Sequence, residues 1–127
     1  MSRIFIADDS ACIRRGLRCL LETHPDWEIC GEANNGREAV SKVRKLAPDL
    51  AILDFSMPFL NGLEAGKQIA STCPGVRTLL CTIHVSKELV NKARDAGLNG
   101  ATGKSEPKRL MRMVEALLRK GSAAFQS

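Results

Sequence analysis

The chain has no tyrosine, one tryptophan and four phenylalanines in 127 residues. A sequence so poor in aromatics offers no base-stacking platform for single-stranded nucleic acid. The formal net charge of +5 does not reverse this. The basic residues are dispersed, and the one short cluster, Lys108, Arg109 and Arg112, reads as a solvated helix face. No direct nucleic-acid binding by these residues is expected. No apolar run approaches the ~20 residues of a membrane helix. Met1-Ser2-Arg3 leads directly into a strand-like run without a signal-peptide pattern, so a cytoplasmic protein that does not enter the membrane is expected. The five cysteines, Cys12, Cys19, Cys30, Cys73 and Cys81, include no Cys-x-x-Cys pair. Neither a zinc site nor a disulfide framework is indicated, and they are expected to serve as small core residues in a reducing compartment.

What is present is an ordinary globular composition, 44% apolar and 26% charged, in a chain long enough for one domain. Two periods alternate along it. Residues 4–7 form a short run of strand formers. Ile13, Leu17, Leu20 and Leu21 then recur at helical spacing, behind Ser10 or Asp8 as N-cap, and His24-Pro25-Asp26 ends that helix. Residues 27–33 alternate, with Ile29, Gly31 and Ala33 on one side and Glu28, Cys30 and Glu32 on the other, which predicts an edge strand. Asn34-Asn35-Gly36 turns the chain into a second helix marked by Ala39, Val43 and Leu46. The unbroken apolar run 50–53 predicts a strand covered on both faces. Asn61 caps a third helix, and residues 76–81 form a fourth strand. Ser86 caps a fourth helix whose apolar face is thin: Leu89, Val90, Ala93 and Ala96. After a short run at 100–103, Pro107 opens a last helix using Leu110, Val114 and Leu117. Residues 1–120 read as the domain and 121–127 as a tail or the start of a linker.

Strict alternation of five strands and five helices predicts an α/β (βα)₅ fold. Its sheet is parallel, with helices on both faces. The common strand order is 2-1-3-4-5, with the topological switch, where ligands bind, between strands 1 and 3. Asp8 and Asp9 follow strand 1 and Asp54 ends strand 3, so three carboxylates converge at that switch. Two carboxylates ~4 Å apart repel by about 4 kcal/mol at an effective dielectric near 20. Either a proton or a cation must sit among them. An all-oxygen donor set favours a hard divalent ion, and Mg2+ fits best. Thr82 follows strand 4 and Lys104 follows strand 5. A divalent cation, an ammonium and a hydroxyl are what a transferring phosphoryl group requires, and one carboxylate is free to be its nucleophile.

These motifs, "DD" at 8–9, "ILDFSMPFLNG" at 52–62, Thr82 and Lys104, together resemble the response-regulator receiver domains of two-component systems. The stretches "HPDWEICGEANNGREAV" and "ARDAGLNGATGK" are similar to the NarL/FixJ subfamily. The resemblance covers residues 3–120. It implies a flavodoxin-like doubly wound domain and a signalling protein rather than an enzyme. Asp54 would be the phospho-acceptor. Asp9, Asp54 and the backbone carbonyl of Ser56 would bind Mg2+ directly, and Asp8 chiefly through water. Lys104 would pair with the phosphoryl oxygens, and Thr82 would hydrogen-bond one of them in the active state. It further implies phosphorylation by a sensor histidine kinase, homodimerisation on activation, and a transcriptional regulator whose DNA-binding domain lies outside these residues.

Three positions depart from the family pattern. Ala101 stands where an aromatic is usual, Ile83 where a small residue is usual, and Ser105 where proline is frequent. The usual coupling of the hydroxyl to an aromatic side chain is therefore unavailable, and Ile83 is expected to fill part of the missing ring's space. A stand-alone or pseudo-receiver interaction module is the competing reading. An aspartyl-phosphate phosphohydrolase would show Asp-x-Asp after strand 1, whereas the acids here are adjacent. A flavodoxin-like nucleotide binder would need backbone amides where Asp8 and Asp9 stand.

Overall fold

In the computed structural model, which describes residues 1–120, the chain alternates strand and helix throughout. The order is β1 (Ser2–Ala7), α1 (Ala11–Leu21), β2 (Trp27–Ala33), α2 (Gly36–Leu46), β3 (Leu50–Asp54), α3 (Gly62–Thr72), β4 (Arg77–Thr82), α4 (Lys87–Asp95), β5 (Gly100–Gly103) and α5 (Pro107–Lys120). All pairings are parallel, in the order β2-β1-β3-β4-β5. The flavodoxin-like arrangement expected from the sequence is the one observed. The reading of 121–127 as a tail lies outside the described residues.

Period-2 alternation assigns the strand side chains to two faces. Ile4, Ile6, Leu50, Ile52, Leu79 and Cys81 pack with Leu17 and Leu21 of α1 and with Leu110, Val114 and Leu117 of α5. Phe5, Ala7, Ala51 and Leu53 pack against Val40 and Val43 of α2 and Ile69 of α3. β3, at the centre, is buried along its whole length, and each fully buried aliphatic side chain there contributes about 1.5–3 kcal/mol. Leu80 and Ala101 meet α4 in a smaller cluster with Ala93 and Leu98. Within α4 itself Ala93 is the buried residue, so this helix is as thinly anchored as its sequence implies.

The helix starts follow their caps. The side chains of Ser10, Asn35, Asn61 and Ser86 accept the N–H groups of Ile13, Glu38, Glu64 and Leu89 respectively. Asn35, read from sequence only as part of a turn, is the α2 cap. Of the two residues considered for α1, Ser10 is the cap, while Asp8 Oδ1 accepts the Ser10 N–H at 2.9 Å.

Two expectations need correction. The strict alternation of β2 is interrupted: Ile4 pairs with Ile29 but Phe5 pairs with Gly31, leaving Cys30 as an extra residue. This is a β-bulge. Ile29 therefore packs on the α1/α5 face while Cys30 packs on the α2/α3 face, and Glu32 is carried to α1. The cysteines are also not uniformly core residues. Cys81 is buried, but Cys12 and Cys19 are exposed, because the inward stripe of α1 is already occupied by Leu17 and Leu21.

Candidate functional site

The β3–α3 loop is held by close backbone approach. A Cβ on Gly62 would lie 2.1 Å from the carbonyl oxygen of Asp54, and the Gly62 N–H donates to Phe55 O at 2.9 Å. Only glycine lets α3 start directly beneath the end of β3. Gly62→Ala is expected to destabilise the fold by about 3 kcal/mol, at the upper end of overpacking effects. Urea unfolding of the purified variant measures this.

Asp54, the last residue of β3, is 5% exposed, and Asp8 is 1% exposed. Asp8 lies just past β1, its N–H donating to Ala33 O at 3.1 Å. Asp9 is exposed. One oxygen from each of Asp8, Asp9 and Asp54 falls within 4.8 Å of the others. Lys104 follows β5, its N–H donating to Thr82 O at 2.8 Å. Its Nζ is 2.7 Å from Asp8 Oδ2 and 2.8 Å from Asp54 Oδ1. Thr82 is buried, Ser56 and His84 are exposed, and all three line the same cavity of about 650 Å³ as the acids and the lysine. The structure thus brings every sequence-selected residue to one cavity.

Burial pushes the Asp54 carboxyl above its ordinary pKa; Asp8 and Asp9 add to this, and together they outweigh the hydrogen bond from Lys104. Burial alone would lower the Lys104 ammonium, but the Asp54 and Asp8 carboxylates beside it hold it above the ordinary value. Burial pushes the Cys81 thiol up to about 12, which makes it an inert core residue beneath the site. One ammonium faces three carboxylates, so the cluster retains an excess of negative charge. The buried Asp8 Oδ2 has the Lys104 charge beside it but accepts no well-directed hydrogen bond. An all-oxygen cluster with that imbalance fits a hard divalent cation.

Ala101 is buried against Leu80, Ala93 and Leu98. Ile83 is 63% exposed, so it does not fill the space of an absent ring as expected. β4 ends at Thr82, and the next side chain is no longer directed by the sheet. Arg14 and Glu32, which sequence reasoning passed over, flank the acids: Arg14 Nη1 donates to the backbone oxygen of Asp8 at 2.6 Å and its Nε to Glu32 Oε1 at 3.1 Å. Helical spacing alone assigns Arg14 to a polar face and gives no signal of this contact.

The molecule is a doubly wound α/β domain with an acidic, lysine-braced cluster at the carboxyl ends of its central strands. The model of the response regulator receiver domain matches residues 4–115, and the chain belongs to that family. It is 37% identical over 115 residues to the chemotaxis protein CheY of Thermotoga maritima, covering 91% of this chain and 93% of that one. It is 36% identical over 100 residues to the transcriptional regulatory protein LnrK of Bacillus subtilis, 79% of this chain and 46% of that one. It therefore spans about half the length of that regulator. Among solved structures, a LuxR-family two-component response regulator from Aurantimonas sp. superposes with a TM-score of 0.92 at 33% identity, covering 98% of this chain and 89% of that one. The receiver domain of the response regulator NarL from Mycobacterium tuberculosis gives 0.88 at 25% identity, with 94% and 97% covered. Among the described residues no helix is long and apolar enough to cross a membrane.

Proposed function

We propose that this receiver domain takes a phosphoryl group from a sensor histidine kinase onto Asp54 and thereby switches the surface made by α4, β5 and α5. The observation that carries this is the meeting of Asp8, Asp9, Asp54 and Lys104 in one cavity at three strand ends. Asp9, Asp54 and the Ser56 carbonyl would hold Mg2+, with Asp8 acting chiefly through water. The ion would supply charge neutralisation for the transferring oxygens. An Asp54 carboxylate oxygen bonds to phosphorus as the N–P bond of the donor phosphohistidine breaks, and the departing imidazole keeps the electron pair and takes up a proton. Lys104, already at Asp54 Oδ1, follows the charge onto the phosphoryl group, and Thr82 donates to another of its oxygens.

Intact-mass spectrometry after acetyl phosphate treatment tests the reading. A gain of one phosphoryl group with Mg2+ and none in chelator is expected. Full gain in chelator contradicts the metal's role, and no gain under any condition contradicts the acceptor role.

The half-length matches to transcriptional regulators support a place in a regulator whose output is transcription. A second reading, an interaction module with a disconnected switch, is favoured by Ala101 in the position of the coupling aromatic. Amide NMR with Mg2+ and beryllofluoride separates the two. Because α4 is anchored through one fully buried residue, its equilibrium is open to bias by a local charge event. Resonances across 83–103 are expected to shift. Shifts confined to the neighbours of Asp8, Asp9 and Asp54 support the disconnected module.

A further inference from the structure

We infer that Arg14 is a positioning residue for the acidic pair, aimed by Glu32 and ultimately by the bulge at Cys30. This rests on the proposed Mg2+-dependent function of the same site. β1 ends at Ala7, so the peptide after it is no longer constrained by a complete sheet ladder. Arg14, one turn into α1, reaches back and donates Nη1 to the Asp8 carbonyl oxygen at 2.6 Å. The guanidinium is itself fixed, because Nε donates to Glu32 Oε1 at 3.1 Å. Glu32 is gripped from the next turn by Arg18, whose Nε donates to Oε2 at 2.9 Å and whose Nη2 also contacts that oxygen. Lys42 donates to the Glu32 backbone oxygen at 2.9 Å from α2.

The edge strand supplies this anchor only because of its bulge. In an unbroken β2, Glu32 would share a face with Glu28 and Cys30 and point away from Ile29. The extra residue at Cys30 shifts the register. Gly31 then faces Phe5 and Leu46, and Glu32 faces Arg14 and Arg18 of α1. Bulges beside functional sites commonly re-aim a side chain in this way. The chain of contacts is thus bulge, Glu32, Arg14, Asp8 backbone. The Asp8 side chain and the adjacent Asp9 inherit their placement from that peptide, as the Ser10 N–H to Asp8 Oδ1 bond shows from the other side.

The sign of the expected effect separates positioning from simple electrostatics. Removing a cation near three carboxylates strengthens Mg2+ binding if only charge matters. Loss of a group that orients a metal's ligands weakens it, by about 10–100-fold in metal sites generally. Calorimetric titration of the full chain with Mg2+ is the test, on wild type, Arg14→Met, Arg14→Lys and Arg18→Met. Arg14→Met is expected to bind about tenfold more weakly. Arg14→Lys, which reaches one of the two acceptors but not both, falls between. Arg18→Met, which loosens Glu32 without touching Asp8, loses less than Arg14→Met. Amide exchange in metal-free protein gives a second readout. Arg14→Met should exchange faster at Asp9 and Ser10 and unchanged at Ile52 and Leu53. Equal or tighter Mg2+ binding in Arg14→Met overturns the inference, as does an equal loss in Arg18→Met. If Arg14→Met does not fold, wild-type affinity in Arg14→Lys overturns it. Failure of wild type to bind Mg2+ refutes the metal reading of the site instead, and the exchange comparison still decides whether Arg14 positions Asp8.

Discussion

Asp54→Asn is expected to abolish phosphoryl gain entirely and, in metal-free protein, to raise thermal stability. The first outcome follows from the loss of the nucleophilic oxygen, since an amide oxygen does not form the acyl phosphate. The second follows from the direction of the Asp54 shift. Burial, with Asp8 and Asp9, holds its folded pKa above the unfolded value despite Lys104. The native state therefore binds more protons than the unfolded state between those two values, and stability falls as pH rises through that window. Above the folded pKa the ionised group opposes folding; below the unfolded value it contributes nothing. The asparagine removes the charge and keeps an acceptor for Lys104 Nζ, now 2.8 Å from Oδ1. A melting temperature higher by a few degrees at pH 7.5, with the gap closing as pH is lowered toward 4, is expected in differential scanning calorimetry. Saturating Mg2+ should stabilise wild type more than the variant, because ligand binding adds stability in proportion to affinity. A variant less stable than wild type at neutral pH refutes the electrostatic account, and phosphoryl gain in the variant refutes the acceptor assignment.

Lys104→Met should be the most damaging single substitution in the cavity. Its ammonium touches two carboxylates that are 1% and 5% exposed. Removing one partner of a buried ionic group leaves uncompensated charge, which costs about 3–5 kcal/mol. Part of this is recovered when Asp54 takes up a proton, so the loss at pH 7.5 is expected near the lower bound, about 3 kcal/mol. The sign of the pH dependence is set by the same carboxyl. Without Lys104 its folded pKa rises further, so acidification to pH 5.5 should restore stability to the variant more than to wild type. Added Mg2+ should do so as well. Chemical denaturation at the two pH values, with and without Mg2+, measures each effect. A loss independent of both pH and Mg2+ would mean that the lysine stem, and not its charge, sustains the fold.

The output surface is where local sequence reasoning met its limit. The thin apolar face of α4 was legible, because helical spacing shows which four residues can pack, and Ala93 alone is fully buried. The place of Ile83 was not. It was expected to fill part of the missing ring's space, yet it follows the last residue of β4 and is 63% exposed. An apolar side chain does not choose its direction where the ladder that would direct it has ended. The exposed Cys12 and Cys19 show the converse: residue type suggested burial, and helix phase decided against it.

By itself the sequence determined the five strands and five helices, the strand order and the acids and lysine at the strand ends. These depend on short-range periodicity, on caps and on the fixed handedness of parallel crossovers. Tertiary structure alone decided that Asp8 and Asp54 share one ammonium, that Asp9 remains exposed beside them, and that Gly62 has no room for a side chain beneath Asp54. It also decided that a single extra residue at Cys30 turns Glu32 toward Arg14. Such facts depend on distances between segments far apart in the chain and on sheet register, and a one-residue change of register reverses every side chain beyond it.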